Sequence, residues 1–165
     1  MADHATSFIE AVRKCVTVPA APDRAFELFT ARFGDWWPLA THSVGADRAA
    51  GVSFGAGVGG TIVETLADGT TSVWGTVTRW DPPDRVAFSW HAGTPEADAG
   101  LVEVTFTATG SGSTLVELVH TGWENRPDGA SARASYQTGW DAVIERYARA
   151  AEALNSSTIS ARPLL

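Results

Sequence analysis

Apolar positions along the chain change their period from segment to segment. Residues 10–18 (EAVRKCVTV) put Val12, Val16 and Val18 on one side of an extended segment that Lys14 interrupts, and predict a strand. Pro22 then suits a first helical position and Asp23 a first turn. Phe26, Phe29 and Phe33 follow as one apolar stripe that Gly34 ends. A short helical turn carrying Asp35, Trp36 and Trp37 is predicted before Pro38, then a loop over 39–50. From 51 to 121 the period falls to two, with strands predicted over 59–66, 71–80, 85–91, 101–109 and 114–121. Val86, Phe88 and Trp90 share one face, as do Val102, Val104 and Phe106, and Val116, Leu118 and His120. Residues 130–154 return to a helical period through Tyr136, Trp140, Val143, Ile144, Tyr147, Ala151 and Leu154. Gly139 inside that helix costs on the order of 1 kcal/mol relative to alanine, which suggests a close backbone approach. Residues 155–165 carry no pattern and read as a loose tail.

This order predicts an α+β domain over 1–154, an antiparallel meander with one apolar face. The long helix is the only element large enough to cover that face. A curved sheet gripping one helix leaves a cavity where the two splay. The inner wall is predicted to include Val86, Phe88, Trp90, Val102, Val104, Phe106, Val116, Leu118, His120, Tyr136 and Trp140. The loop 39–50, with Trp36 and Trp37 before it, is expected to gate the mouth.

Composition narrows the function classes. The 165 residues suit one domain, and no apolar run is long enough for a membrane helix. Residues 1–20 lack the continuous apolar segment of a secretory signal. Twelve Lys and Arg against 19 Asp and Glu leave a net charge of −7, so a phosphate backbone would be repelled. The single cysteine, Cys15, excludes an internal disulfide and a Cys-rich zinc site, in keeping with a cytoplasmic location. Seven Trp and seven Phe beside two Tyr point to large rings in a core or lining a pocket.

Two motif matches fail on context. Gly51-Val52-Ser53-Phe54-Gly55 fits a hydrolase elbow, and Gly55 to Gly60 fits G-x-G-x-x-G, but both run into a strand instead of opening a helix. No cofactor motif is found, and none of the four histidines sits in a helical metal-ligand pair. Strand parity turns His120 inward, either as a core histidine or as a polar group of the cavity. Glu64 shares the parity of Ile62 and either points inward or is solvated at a sheet edge. These two are the candidate acid and base. The ligand-contacting set is Trp36, Trp37, Phe88, Trp90, Val104, Phe106, Leu118, His120, Tyr136 and Trp140.

Several motifs in order resemble a known family. They are Ala25-Phe26-Glu27-Leu28-Phe29-Thr30, the run from Gly34 to Ser43 (GDWWPLATHS) and Val58-Gly59-Gly60. Trp74-Gly75-Thr76-Val77, Trp80-Asp81-Pro82-Pro83, Phe88-Ser89-Trp90-His91 and His120-Thr121-Gly122-Trp123 continue the series. Over residues 10–152 the chain resembles the activator of heat-shock-protein-90 ATPase homologue family. The resemblance implies the SRPBCC superfamily and its START-like helix-grip fold, enclosing a hydrophobic ligand cavity. The superfamily includes lipid carriers, plant-hormone binders and cyclases acting on polyketides. Three functions follow in order: a binder of a small hydrophobic or aromatic molecule, a cyclase, dehydratase or hydrolase in the same cavity, and a stress-response co-chaperone. The expected partner is that small molecule, with a homodimer and a chaperone as the open alternatives.

Overall fold

The computed structural model describes residues 9–160. In chain order the elements are β1 (Val12–Val18), α1 (Pro22–Phe29), α2 (Phe33–Trp36), β2 (Ala49–Phe54), β3 (Thr61–Leu66) and β4 (Thr71–Asp81). They continue with β5 (Arg85–Trp90), β6 (Gly100–Gly110), β7 (Ser113–Thr121) and α3 (Gly129–Ser160). The seven strands form one antiparallel sheet in the order β1-β7-β6-β5-β4-β3-β2, with the first strand beside the last. The sheet curls as a half-barrel against α3, the helix-grip arrangement the sequence predicts.

Alternation places the core. Phe88 faces Val102, Val86 faces Val104, Val104 faces Leu118 and Phe106 faces Val116. All are buried, along with Trp90 and His120. Helix α1 closes one end of this face: Ala25, Phe26, Leu28 and Phe29 are buried, and Phe26 meets the Phe106 ring at 5.2 Å. Tyr147 of α3 donates to the Ala25 carbonyl at 2.7 Å, and burial pushes its phenol above the ordinary pKa. Lys14 lies on the inward parity of β1 and meets Asp141 of α3 at 2.7 Å. Asp141 is largely exposed, so the pair adds little stability.

Four expectations are corrected. Residues 49 and 50 belong not to the loop but to β2, which pairs Val52 with Glu64 and Phe54 with Ile62. In β4 the register shifts against both neighbours, so Trp74 and Val77 are both buried although their parities differ. An extra residue turns the strand by one position and reverses which parity faces in. Helix α3 continues to Ser160, past the predicted end at 154, and residues 161–165 lie outside the described residues. Gly139 has no backbone within 4 Å of where a Cβ would stand, unlike Gly34, Gly75 and Gly129, where a Cβ would overlap a carbonyl oxygen. The close approach expected at Gly139 is absent.

Candidate functional site

Between the first half of α3, the end of β5 and the loop after α2 lies a cavity of about 410 Å³. One face of α3 contributes Ser135, Tyr136, Gly139, Trp140 and Val143, which helical spacing brings to one side. The sheet side supplies Trp90, Ala92 and Gly93. Trp37, Thr41, His42, Ser43 and Val44 complete the wall.

The three tryptophans form a continuous aromatic surface. Trp37 stands 5.7 Å from Trp90 and 6.0 Å from Trp140, and Trp90 stands 5.6 Å from Trp140, with tilted or edge-on rings. Trp90 donates its indole hydrogen to the Tyr136 hydroxyl at 3.0 Å. Tyr136 therefore keeps its own proton to donate, and no acceptor stands in reach of it among the described residues. Across the cavity, His42 Nδ1 lies 2.7 Å from the Thr41 hydroxyl. The walls are mostly apolar with a few polar groups at the margin, the usual make-up of a small-molecule cavity.

The loop holds its shape through its own bonds. Trp37 donates to the His42 carbonyl at 2.7 Å, and Ser43 donates to the Leu39 carbonyl at 2.5 Å while accepting from the Ala46 amide at 3.0 Å. Glu64 supplies the anchor from the sheet. Fully buried on β3, it accepts from the amides of Val44 and Gly45 at 2.9 and 2.8 Å and from the Trp74 indole at 3.1 Å. The carboxylate thus answers three donors and fixes the loop against the sheet.

His120 sits one layer behind the wall. It is 2% exposed, its ring lies 4.0 Å from Trp123, and its Nδ1 accepts from the Trp140 indole at 3.0 Å. That bond puts the ring proton on Nε2. Burial, with the nearby charge of Arg126, holds its pKa down to about 3, so the imidazole is neutral near pH 7.

The structure sorts the ten ligand candidates into two groups. Trp37, Trp90, Tyr136 and Trp140 line the cavity together. Trp36, Phe88, Val104, Phe106, Leu118 and His120 do not: they are buried in the packed core, because the helix and α1 fill the space above them. Glu64 does point inward, but to the loop backbone and not to the cavity, so it and His120 share no enclosed space. His42, Ser135 and Gly139 were not among the candidates. The spacing of Ser135 and Gly139 about Tyr136 and Trp140 carries a signal for the helix face, whereas His42 sits in a loop with no period. Among the described residues, no three His, Cys, Asp or Glu side chains converge as metal ligands, and no helix is long and apolar enough to cross a membrane.

Comparison with known proteins places this geometry. The chain is 34% identical to an anthrahydroquino-gamma-pyrone synthase, Txn09, solved in complex with a compound abbreviated SUM; the match covers 86% of this chain and 97% of that one, with a TM-score of 0.58. A heat-shock-protein-90 activator from Plasmodium falciparum matches at 20% identity over 68% of this chain and 73% of that one, with a TM-score of 0.51. An Aha1 dimer from Colwellia psychrerythraea matches at 21% over 87% and 97%, with a TM-score of 0.60. Those two show the shared fold alone. No curated protein sequence matches. The sequence profile of the activator of Hsp90 ATPase homolog 1-like family matches residues 19–152, and the chain belongs to that family.

Proposed function

We propose that the cavity binds a flat, fused-ring aromatic molecule carrying ring oxygens, of the quinone or phenol class. The observation that carries this reading is the wall of Trp37, Trp90 and Trp140 with the Tyr136 hydroxyl at its edge. Three indoles supply an aromatic back wall, and a phenol proton without an acceptor offers one directional bond to a carbonyl. The volume of about 410 Å³ lies within the range of small-molecule sites. The 34%-identical anthrahydroquino-gamma-pyrone synthase supports the same ligand class. The test is a titration with 1,8-dihydroxyanthraquinone, followed by tryptophan fluorescence and by native mass spectrometry. Saturable one-to-one binding is expected, weakened about two- to tenfold in Tyr136→Phe by the loss of one hydrogen bond. Lack of saturable binding overturns the reading.

A second reading has its own observation. His42 lines the cavity, its ring set by Thr41, where a proton-transfer group would touch a bound ring. With the synthase likeness, this supports ring closure on an aromatic polyketide substrate. His42→Gln should then bind the ring and fail to convert it. Equal conversion by both proteins removes His42 from that role.

A further inference from the structure

Each indole of the cavity wall has its N–H committed to the protein. Trp37 gives it to the His42 carbonyl at 2.7 Å, Trp90 to the Tyr136 hydroxyl at 3.0 Å and Trp140 to Nδ1 of His120 at 3.0 Å. Two of these acceptors belong to residues that line the cavity, and His120 stands behind it. An imidazole is a costly filler at that place. It is 2% exposed, and burial keeps it neutral at pH 7. A phenyl ring would occupy the space without burying two polar atoms. What the imidazole supplies is an acceptor for an indole hydrogen that would otherwise lack a partner or turn toward the cavity. Its direction is fixed from three sides. The rings of Tyr136 and Trp140, one helical turn apart on α3, meet it edge-on at 5.3 and 5.9 Å. Behind it Gly100 leaves the room it needs, since a Cβ there would stand 3.1 Å from Nε2.

We propose that His120 is a positioning residue of the cavity: by taking the Trp140 indole hydrogen from behind, it holds that ring with its polar edge toward the core and its carbon surface toward the ligand. The ligand part of this rests on the proposed binding of a fused-ring aromatic; the placement of Trp140 does not. With all three indole hydrogens engaged, the directional donor among the wall's rings is the Tyr136 hydroxyl. A bound ring is then oriented by one oxygen at the Tyr136 end, and the rest of the wall meets it as apolar surface.

The test compares His120→Phe, which fills the space without an acceptor, with His120→Asn, whose side-chain oxygen stands near the place of Nδ1. His120→Phe should weaken 1,8-dihydroxyanthraquinone binding about three- to tenfold, and His120→Asn by less than about twofold. A merely structural role ranks the two by lost packing and makes the smaller asparagine the worse. In Trp140→Phe, which has no indole hydrogen to place, adding His120→Phe should change affinity by no more than about twofold. His120→Leu carries the same arm should the phenyl ring not fit. The second readout needs no ligand. The Trp140 indole hydrogen, identified by its loss from the 1H–15N spectrum of Trp140→Phe, should exchange faster in His120→Phe. That of Trp36, bonded to the Leu28 carbonyl in the packed core, should stay protected. Equal affinity in wild type and His120→Phe, a loss in His120→Asn as large as in His120→Phe, or an undiminished loss in the Trp140→Phe background overturns the proposal. If wild type binds no anthraquinone, the functional reading falls by itself and exchange decides the placement. Acceleration confined to Trp140 upholds it; unchanged exchange at Trp140, or equal acceleration at Trp36, overturns it.

Discussion

Adjacent tryptophans mark two unlike halves of the interior. Trp36 donates its indole hydrogen to the Leu28 carbonyl of α1 at 2.8 Å and lies 5.1 to 5.3 Å from the rings of Phe29, Phe33 and Tyr147. Trp37 donates to the carbonyl of His42 and, though buried, lines the cavity. Both halves lie under the same sheet and the same helix α3. They differ in what covers them. Helix α1 brings its own apolar stripe, and Phe26 and Phe29 fill the volume beneath it. The loop after α2 brings backbone and short polar side chains, which close the end without filling it. A solid core and a hollow thus follow from one lid being a helix and the other a loop.

The sharpest break of this contrast is on the solid side. Phe106 is 3% exposed and meets Phe26 and Phe29, so Phe106→Ala should cost about 3–5 kcal/mol in chemical denaturation. A much smaller loss would mean that this end, too, borders empty space. The next effect belongs to His120, behind the hollow. The unfolded histidine takes its proton near pH 6.5 and the folded one only near 3, so its contribution is complete above 6.5 and is lost as pH falls through that window. Between about pH 7 and pH 4 this removes roughly 3 kcal/mol, and His120→Phe should lose that share of acid sensitivity. An acid limb identical in the two proteins would assign the effect elsewhere. Glu64→Ala strands the buried Trp74 indole and frees two loop amides, with an expected cost of about 1–3 kcal/mol. Amide exchange at Val44 and Gly45 should accelerate while that of α1 stays unchanged; unaltered exchange would mean that the loop holds without its anchor. The smallest effect is that of Tyr136→Phe, about 0.5–1.5 kcal/mol of stability from the Trp90 bond alone. A loss as large as that of Phe106→Ala would place Tyr136 in the solid half.

The solid half was largely legible in the sequence, because burial on one sheet face forces a period of two. Val86, Phe88 and Trp90 on β5 and Val102, Val104 and Phe106 on β6 are buried as their alternation predicts. Alternation says which way a side chain points but not how far the opposing layer stands. That is why Phe88, Val104 and Leu118 were placed at a cavity and belong to the core. It also fails where a strand gains a residue, as β4 does around Trp74. Half of the hollow was legible through the α3 stripe, which gave Tyr136 and Trp140. The loop was legible as a cover of the mouth, but which of its residues line the cavity was not, since Thr41 to Val44 are set by hydrogen bonds to Trp37 and Glu64, partners that no spacing announces. Glu64 itself was legible only by parity, which left an inward carboxylate and a solvated edge residue equally open.

The proximity of the indoles has an optical consequence. Trp37 lies within 6.0 Å of Trp36, Trp74, Trp90 and Trp140, and Trp74 lies 5.5 Å from Trp90. At such separations excitation passes readily from ring to ring, so five of the seven tryptophans emit as one antenna and not as independent lamps. Any absorbing molecule that touches one member drains the group. The light emitted by the unlabelled chain is therefore a direct gauge of whether the hollow is filled.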